Sequence, residues 1–280
     1  MKWYESSMLK KAFLETTDWN AAWRKRGETA FRPIQNPKGY WLADTLLFED
    51  ERGSFLFVEA FDKQKKRGLI GVLPYDGASF SDFRIVISRN YHMSYPYVFT
   101  LDRQTYMIPE TSANNCIELF RAVDFPDGWE CVGELLSGCY ADTTVWPSND
   151  GPFPFSGCTY DLANRHLVRF DLDIQRVAIR LVSSERDSDS VMRPGGRPYL
   201  KNDELILPFQ DNKYLYGQNL RFMSDGGVDE GISLLPQDIA TSDGSTFRRL
   251  HTYSRTKEFE AIDLSDFRFS AFKAFKKVFG

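Results

Sequence analysis

The 280-residue sequence has little of what builds a secreted, membrane-spanning or nucleic-acid-binding protein. No run approaches the roughly 18 consecutive apolar residues of a transmembrane helix. The start, MKWYESSMLKKAFLETTDW, has no uninterrupted apolar segment, so no secretory leader is expected. Cysteine is scarce. Cys116, Cys131, Cys139 and Cys158 fit no zinc spacing, and a chain this long needs no disulfide framework. Four reduced thiols in a cytoplasmic protein are expected. Neither charge dominates: 35 Lys and Arg stand against 39 Asp and Glu, which leaves no basic field for nucleic acid. Of the three histidines, His92 and His166 have no sequence neighbours that suggest a metal. RPGGRP lacks the Lys-Ser/Thr of a phosphate loop and precedes no helical pattern. No cofactor and no metal is expected.

Aromatic residues, by contrast, are plentiful: 23 Phe, 13 Tyr and 6 Trp. With 42% hydrophobic residues they suffice for a sizeable core, and they suit many short strands. An internal repeat organises them. ADTLLFEDERGSFLFVE (43–59), SYPYVFTLDRQTYMIPE (94–110) and ADTTVWPSNDGPFPFSG (141–157) align without gaps as strand, polar turn, strand. Asp44, Tyr95 and Asp142 share one register; Glu59, Glu110 and Gly157 share another. A shorter copy, GRPYLKNDELILPFQD, covers 196–211, and a degraded one, LHTYSRTKEFEAID, covers 250–263. Taking Arg197 and His251 as the matching positions gives steps of 51, 47, 55 and 54 residues.

Further strand-like runs lie between the copies. Four short strands per ~50 residues is the size of a propeller blade. The expected fold is all-β: a five-bladed β-propeller over residues 1–265. DWNAAWRKRG is expected to supply the outer strand of the last blade and so close the ring. Residues 266–280 form a separate tail. Phe269, Phe272, Phe275 and Phe279 fall on one face of a helix, with Lys273, Lys276 and Lys277 toward the other. Such a short amphipathic helix suits a domain face, a protein partner or the inner membrane surface.

In a propeller the innermost strands line a central channel, so equivalent positions converge at one mouth. The first position carries Asp44, Tyr95, Asp142, Arg197 and His251, and the end of the second strand carries Glu59, Glu110, Gly157 and Asp211. Acids crowded in one cavity repel, which raises the pKa of at least one toward that of a general acid. Paired carboxyls across a sugar perform glycoside hydrolysis. Trp41, Tyr95, Tyr140, Trp146 and Tyr216 are candidates to stack on sugar faces. The competing reading is structural: acids at strand starts also cap turns or pair with arginine. His251 is open in the same way, as a group that bonds a substrate hydroxyl, shifts a carboxyl, or simply packs.

ADTLLFED resembles the start of the first blade in glycoside hydrolase family 43 and its relatives in families 32 and 68, which are five-bladed propellers. That resemblance implies a general base or nucleophile at Asp44 and an orienting acid at Asp142. A closer resemblance, over nearly the whole chain, is to the propeller domain beside the glycosyltransferase domain in glucosamine inositolphosphorylceramide transferases. It is carried by WLADTLLFE, YMIPETSANNCIELFRA, RPGGR, LPFQDNKYLYGQNL and LHT. It implies a role in surface-polysaccharide or glycoconjugate assembly. The hydrolases place a glutamate general acid at the start of the fourth blade, where this chain has RPGGRPY. Glu110 or Asp211 is then left as proton donor. Arg193 and Arg197 point to an anionic ligand such as a phosphate, sulfate or uronate. Gln210, Tyr216, Tyr95 and His251 complete the candidate saccharide-binding set. Three functions remain open on these residues: a carbohydrate-active, glycosidase-like enzyme, a glycosyl-transferring activity on the same acids, or a non-catalytic glycan-binding or glycosyltransferase-associated module at the cytoplasmic face of the membrane.

Overall fold

WLADTLLFED and SYPYVFTL mix β-branched and aromatic residues and end at polar hairpin turns. In the computed structural model each becomes the innermost strand of an antiparallel sheet. Residues 14–148, 152–225 and 229–269 are described. Five such sheets form a five-bladed β-propeller. Blade 1 runs Tyr40–Asp50, Gly53–Asp62, Arg67–Pro74 and Arg84–Ile87 from the channel outward. Blade 2 runs Ser94–Leu101, Gln104–Glu110, Cys116–Asp124 and Gly128–Ser137. Blade 3 runs Tyr140–Pro147, Phe155–Asp161, His166–Asp173 and Ala178–Arg186.

In blade 4 the inner strand is broken. Arg193–Pro194 and Tyr199–Lys201 both pair with Glu204–Asp211, outside which lie Asn219–Ser224 and Asp229–Leu234. Blade 5 joins the two ends of the chain: Arg249–Arg255 and Phe259–Ser265 are followed outward by Asn20–Lys25 and Ala30–Pro33. The amino-terminal segment therefore closes the ring as the third strand, not the outermost. The reason is burial on both sides: Ala21 and Trp23 pack toward blade 1, and Ala22 packs toward blade 4. Five apolar clusters fill the five gaps between neighbouring blades. Phe57, Phe120, Phe170, Phe209 and Phe259, one per blade, are fully buried there. Each such side chain contributes about 2–3 kcal/mol by its removal from water.

The inner strands share a local distortion. Asp44, Tyr95 and Asp142 have φ of 48°, 45° and 54°, in the left-handed region that non-glycine residues seldom occupy. Each sits in a β-bulge, where pairing shifts between Ala43 and Leu46, Ser94 and Tyr97, and Ala141 and Thr144. Blade 5 shifts likewise between Leu250 and Tyr253. The gap-free repeat thus holds along the first strand. It fails in the third hairpin, which is longer: Tyr160, not Gly157, pairs opposite Ala141, as Glu59 does opposite Ala43.

Phe267–Phe269 form a short strand against Leu14–Thr16, so the expected helix does not begin at Phe269. Residues 270–280, with the remaining phenylalanines and the lysines of the tail, lie outside the described residues. No helix among the described residues is long and apolar enough to cross a membrane.

Tyr95 closes the channel midway. It is fully buried, its hydroxyl lies 2.9 Å from Thr144 Oγ1, and it both donates to Gly196 O and accepts from Gly196 N. Gly196 has φ +142°, and a Cβ there falls 1.7 Å from Tyr253 O. Gly196→Ala is therefore expected to leave little folded protein in expression trials. Tyr95→Phe should keep the far-ultraviolet circular dichroism but lower urea-unfolding stability by about 1–3 kcal/mol, because both Gly196 backbone groups lose a buried partner. Unchanged stability of Tyr95→Phe contradicts this role.

Candidate functional site

The bulges at Asp44, Asp142 and His251 turn these side chains into one mouth of the channel. Asp263, in the second strand of blade 5, is wholly buried. Its Oδ1 accepts from the backbone N–H of His251 and Thr252 at 3.1 and 2.9 Å, and its Oδ2 accepts from Asp44 N at 2.9 Å. The His251 imidazole lies between two carboxylates, with Nδ1 2.8 Å from Asp263 Oδ2 and Nε2 3.0 Å from Asp44 Oδ1. Asp44 Oδ2 accepts from Tyr95 N at 3.1 Å. On the other side, Asp142 forms an ion pair with Arg193 and accepts from Gln210 Nε2 at 2.8 Å. Arg193 also reaches Glu110 Oε2 at 3.3 Å, and Ser112 donates to Glu110 Oε1 at 2.7 Å.

An aromatic rim stands over these groups. The Trp19 ring is 4.2 Å from the His251 ring, and Tyr216, 42% exposed, is 5.3 Å from it. Arg249 holds both rings, lying 4.6 Å over Trp19 and donating to Tyr216 O at 3.1 Å. The left-handed turn at Gly217 (φ +67°) lets the chain approach: a Cβ there comes within 2.8 Å of Trp19.

Five buried carboxyls (Asp44, Glu59, Glu110, Asp142 and Asp263) share the mouth with two central cations, Arg193 and His251. The imbalance moves protons. Burial disfavours the His251 imidazolium, but Asp263 and Asp44 outweigh it and push the pKa up to about 10. Burial raises Asp142 to about 6, against the pull of Arg193. Glu59 is raised well above the usual range, by burial first and then by Asp44. Its Oε1 has no hydrogen-bond partner, and His92 Nε2 stands 3.4 Å away, too far for a good hydrogen bond. His92 Nδ1 accepts from Gly68 N at 2.8 Å, which leaves the ring proton on the Nε2 that faces Glu59. Asp44, His251 and Asp263 place donor atoms within 4.8 Å of one another, a spacing that metal ions use. In this arrangement the His251 nitrogens stand 3.0 Å from Asp44 and 2.8 Å from Asp263, so the trio forms a buried ion-pair cluster, with Nδ1 close to Asp263 but outside hydrogen-bond geometry.

Of the residues singled out from the sequence, Asp44, Asp142, Glu110, Arg193, Gln210 and His251 meet here, with Tyr216 at the rim. Three do not. Asp211 faces away from Gln210, since successive side chains in a strand alternate, and is held by Arg221 Nε at 3.1 Å and Lys213 N at 3.2 Å. Tyr95 forms the floor, with no exposed face for a sugar. Arg197 lies at the opposite mouth, because Gly195 and Gly196 interrupt the strand and Arg193 is the residue that pairs opposite Gln210. Of the other stacking candidates, Trp41 is stacked on Phe61 at 4.5 Å, and Trp146 packs between blades 3 and 4. Asp263, Trp19 and Arg249 were not in the expected site, and Glu59, placed at the mouth by its register, was given no role there. Glu59 shares its register with Glu110, and Asp263 ends the degraded fifth copy, so both had a positional signal.

The fold places the chain among five-bladed propellers, an architecture shared with carbohydrate-active enzymes. It is similar to the catalytic domain of the Coprinopsis cinerea GH62 alpha-L-arabinofuranosidase, with a TM-score of 0.60 and 14% identity over 85% of this chain and 84% of that one. It is also similar to the GH43_1 enzyme from Xanthomonas citri complexed with xylotriose, with a TM-score of 0.59 and 9% identity over 84% and 88%. At such identities the likeness is one of fold. Residues 31–225 match the family described as glucosamine inositolphosphorylceramide transferase 1, N-terminal, and the chain belongs to that family. Glucosamine inositolphosphorylceramide transferase 1 of Oryza sativa subsp. indica is 25% identical over 229 residues, covering 71% of this chain and 29% of that protein. The Arabidopsis thaliana protein of the same name is 28% identical over 134 residues, covering 43% and 18%. The chain thus spans less than a third of the length of these relatives.

The shifted groups set a pH dependence. His251 is raised from 6.5 to about 10, so its stabilisation is complete below pH 6.5 and is lost as pH rises to 10. Asp142 is raised from 3.8 to about 6, so its contribution also falls as pH rises through that window. Thermal melting across pH 5–10 should show stability declining from the acidic side. His251→Gln should flatten the alkaline limb; an unchanged slope in that variant removes His251 as its origin.

Proposed function

We propose that the acidic mouth recognises a saccharide and holds it for glycosyl transfer carried out elsewhere, without cleaving it. One observation carries this reading: Arg193 stands in the fourth blade where the resemblance to hydrolases calls for a proton donor, and it is engaged by Asp142 and Glu110. Tyr216, backed by the buried Trp19, supplies an apolar face for a pyranose ring, and the carboxylates supply acceptors for its hydroxyls. Carboxyls outnumber cations, which favours an amino sugar over a neutral one. Glucosamine is also the sugar for which the plant relatives are named.

A second reading rests on Glu59. It is the carboxyl that burial most favours in the protonated state, and the Asp44 charge adds to its shift. With Asp44 as base, Glu59 supplies the proton donor that the fourth blade lacks.

Calorimetry with glucosamine, N-acetylglucosamine and xylotriose, with mass analysis of the recovered sugars, separates the two. Recognition predicts tighter binding of glucosamine than of N-acetylglucosamine, unchanged sugar masses, and about tenfold weaker binding in Asp44→Asn, the loss of one charged hydrogen bond. Shortened oligosaccharides that disappear in Glu59→Gln establish hydrolysis instead. No binding of any of these sugars by wild type removes the recognition reading.

A further inference from the structure

The inner strands also end at a second mouth, on the far side of Tyr95. A cavity of about 700 Å³ opens there, lined by residues from the inner strands of all five blades. That volume suits a small ligand. Five cations border it (Arg52, Arg103, Arg197, Arg255 and Lys257), against three acids, Glu49, Asp50 and Glu51. Arg52 is paired with Asp50. Among the described residues, no ion pair is found for Arg103, Arg197, Arg255 or Lys257.

Two of the arginines are pre-set against aromatic faces. Arg197 lies 4.5 Å over the Tyr97 ring and donates from Nη2 to Val98 O. Its Nε is buried without a partner. Arg255 lies 4.1 Å over the Tyr199 ring. Stacking fixes a guanidinium plane and leaves its edge N–H groups to meet an oxyanion in a bidentate way. Phe48, Phe99 and Trp146 give the same cavity apolar walls.

We propose that this mouth is a second binding site, for an anionic saccharide bearing a phosphate or a carboxylate. The oxyanion sits between Arg197 and Arg255, and the ring packs on the aromatic walls. The site is independent of the acidic mouth, because the buried Tyr95 hydroxyl bridges Thr144 and Gly196 between them.

Calorimetric titration of the full chain with glucose 6-phosphate, glucuronate, glucose and inorganic phosphate tests this. Glucose 6-phosphate, glucuronate or both should bind at least about tenfold more tightly than glucose, and binding should weaken as salt is raised. Binding of only one of the two anions identifies the oxyanion. Arg197→Gln should weaken it about tenfold. Arg255→Gln combined with Lys257→Gln, at the end of a strand and in an exposed turn, should do the same without risk to the core. Equal binding of glucose, inorganic phosphate binding as tightly as the sugar phosphate, or unchanged binding in both Arg197→Gln and the Arg255→Gln, Lys257→Gln double variant each overturns the proposal. Failure here leaves the reading of the acidic mouth intact, since that reading is tested with different sugars and at different residues.

Discussion

Three left-handed residues, Asp44, Tyr95 and Asp142, hold the centre of this propeller together. Inner strands of neighbouring blades do not share a continuous backbone ladder, so their polar groups need other partners. The bulges expose those groups, and side chains from the adjacent blade satisfy them. Asp263 of blade 5 binds Asp44 N, and Thr252 and Ser254 bind the N–H groups of Thr45 and Leu47. Asp44 in turn binds Tyr95 N, and the Tyr95 hydroxyl joins Thr144 and Gly196. The contacts that seal the blades are therefore the same ones that orient the acidic mouth. A group that anchors the ring cannot easily drift from its place in the site, which is the preorganisation a binding or reacting centre needs.

Tyr95 also divides the channel into two environments of opposite character. On one side, carboxyls exceed cations, and the proton affinity of Glu59 and His251 is raised. On the other, four cations face a cavity without ion-pair partners of their own among the described residues. The strands run from the first mouth to the second, so residues a few positions apart serve different ends: Arg193 neutralises acids, and Arg197 faces the cavity. A single charge balance for the whole chain, close to zero, conceals both fields.

The architecture was legible because the first strand of each of the first three copies carries the bulge residue at one register, and the register survives even where identity changes from Asp to Tyr. The failures have definite physical origins. Gly195 and Gly196 add residues inside a strand, so counting back from the hairpin chose Arg197 over Arg193. The longer third hairpin broke the assumed equivalence of Gly157 with Glu59. Asp211 was one residue off: alternation along the strand turns Gln210 to the mouth and Asp211 toward Arg221. Tyr95 read as a sugar platform because an aromatic residue at a channel position is ambiguous until its hydroxyl partners are seen. Glu59 stood in the expected register without a role and Asp263 was passed over, because depth, not residue type, separates a surface acid from a buried one.

Arg193 shows why the fold alone does not settle the chemistry. A carboxyl at its place would add a sixth acid to a cluster that already raises Asp142 to about 6. An arginine supplies the opposite charge, draws Asp142 and Glu110 into ion pairs, and shares Asp142 with Gln210. One residue thus turns half of the mouth from a group of competing acids into a compensated, rigid wall. The other half, with Asp44, Glu59 and the His251 imidazolium, keeps the capacity to exchange protons. The groups whose proton affinity is most raised, Glu59 and His251, thus lie on blades 1 and 5, and the charge-compensated groups on blades 2, 3 and 4.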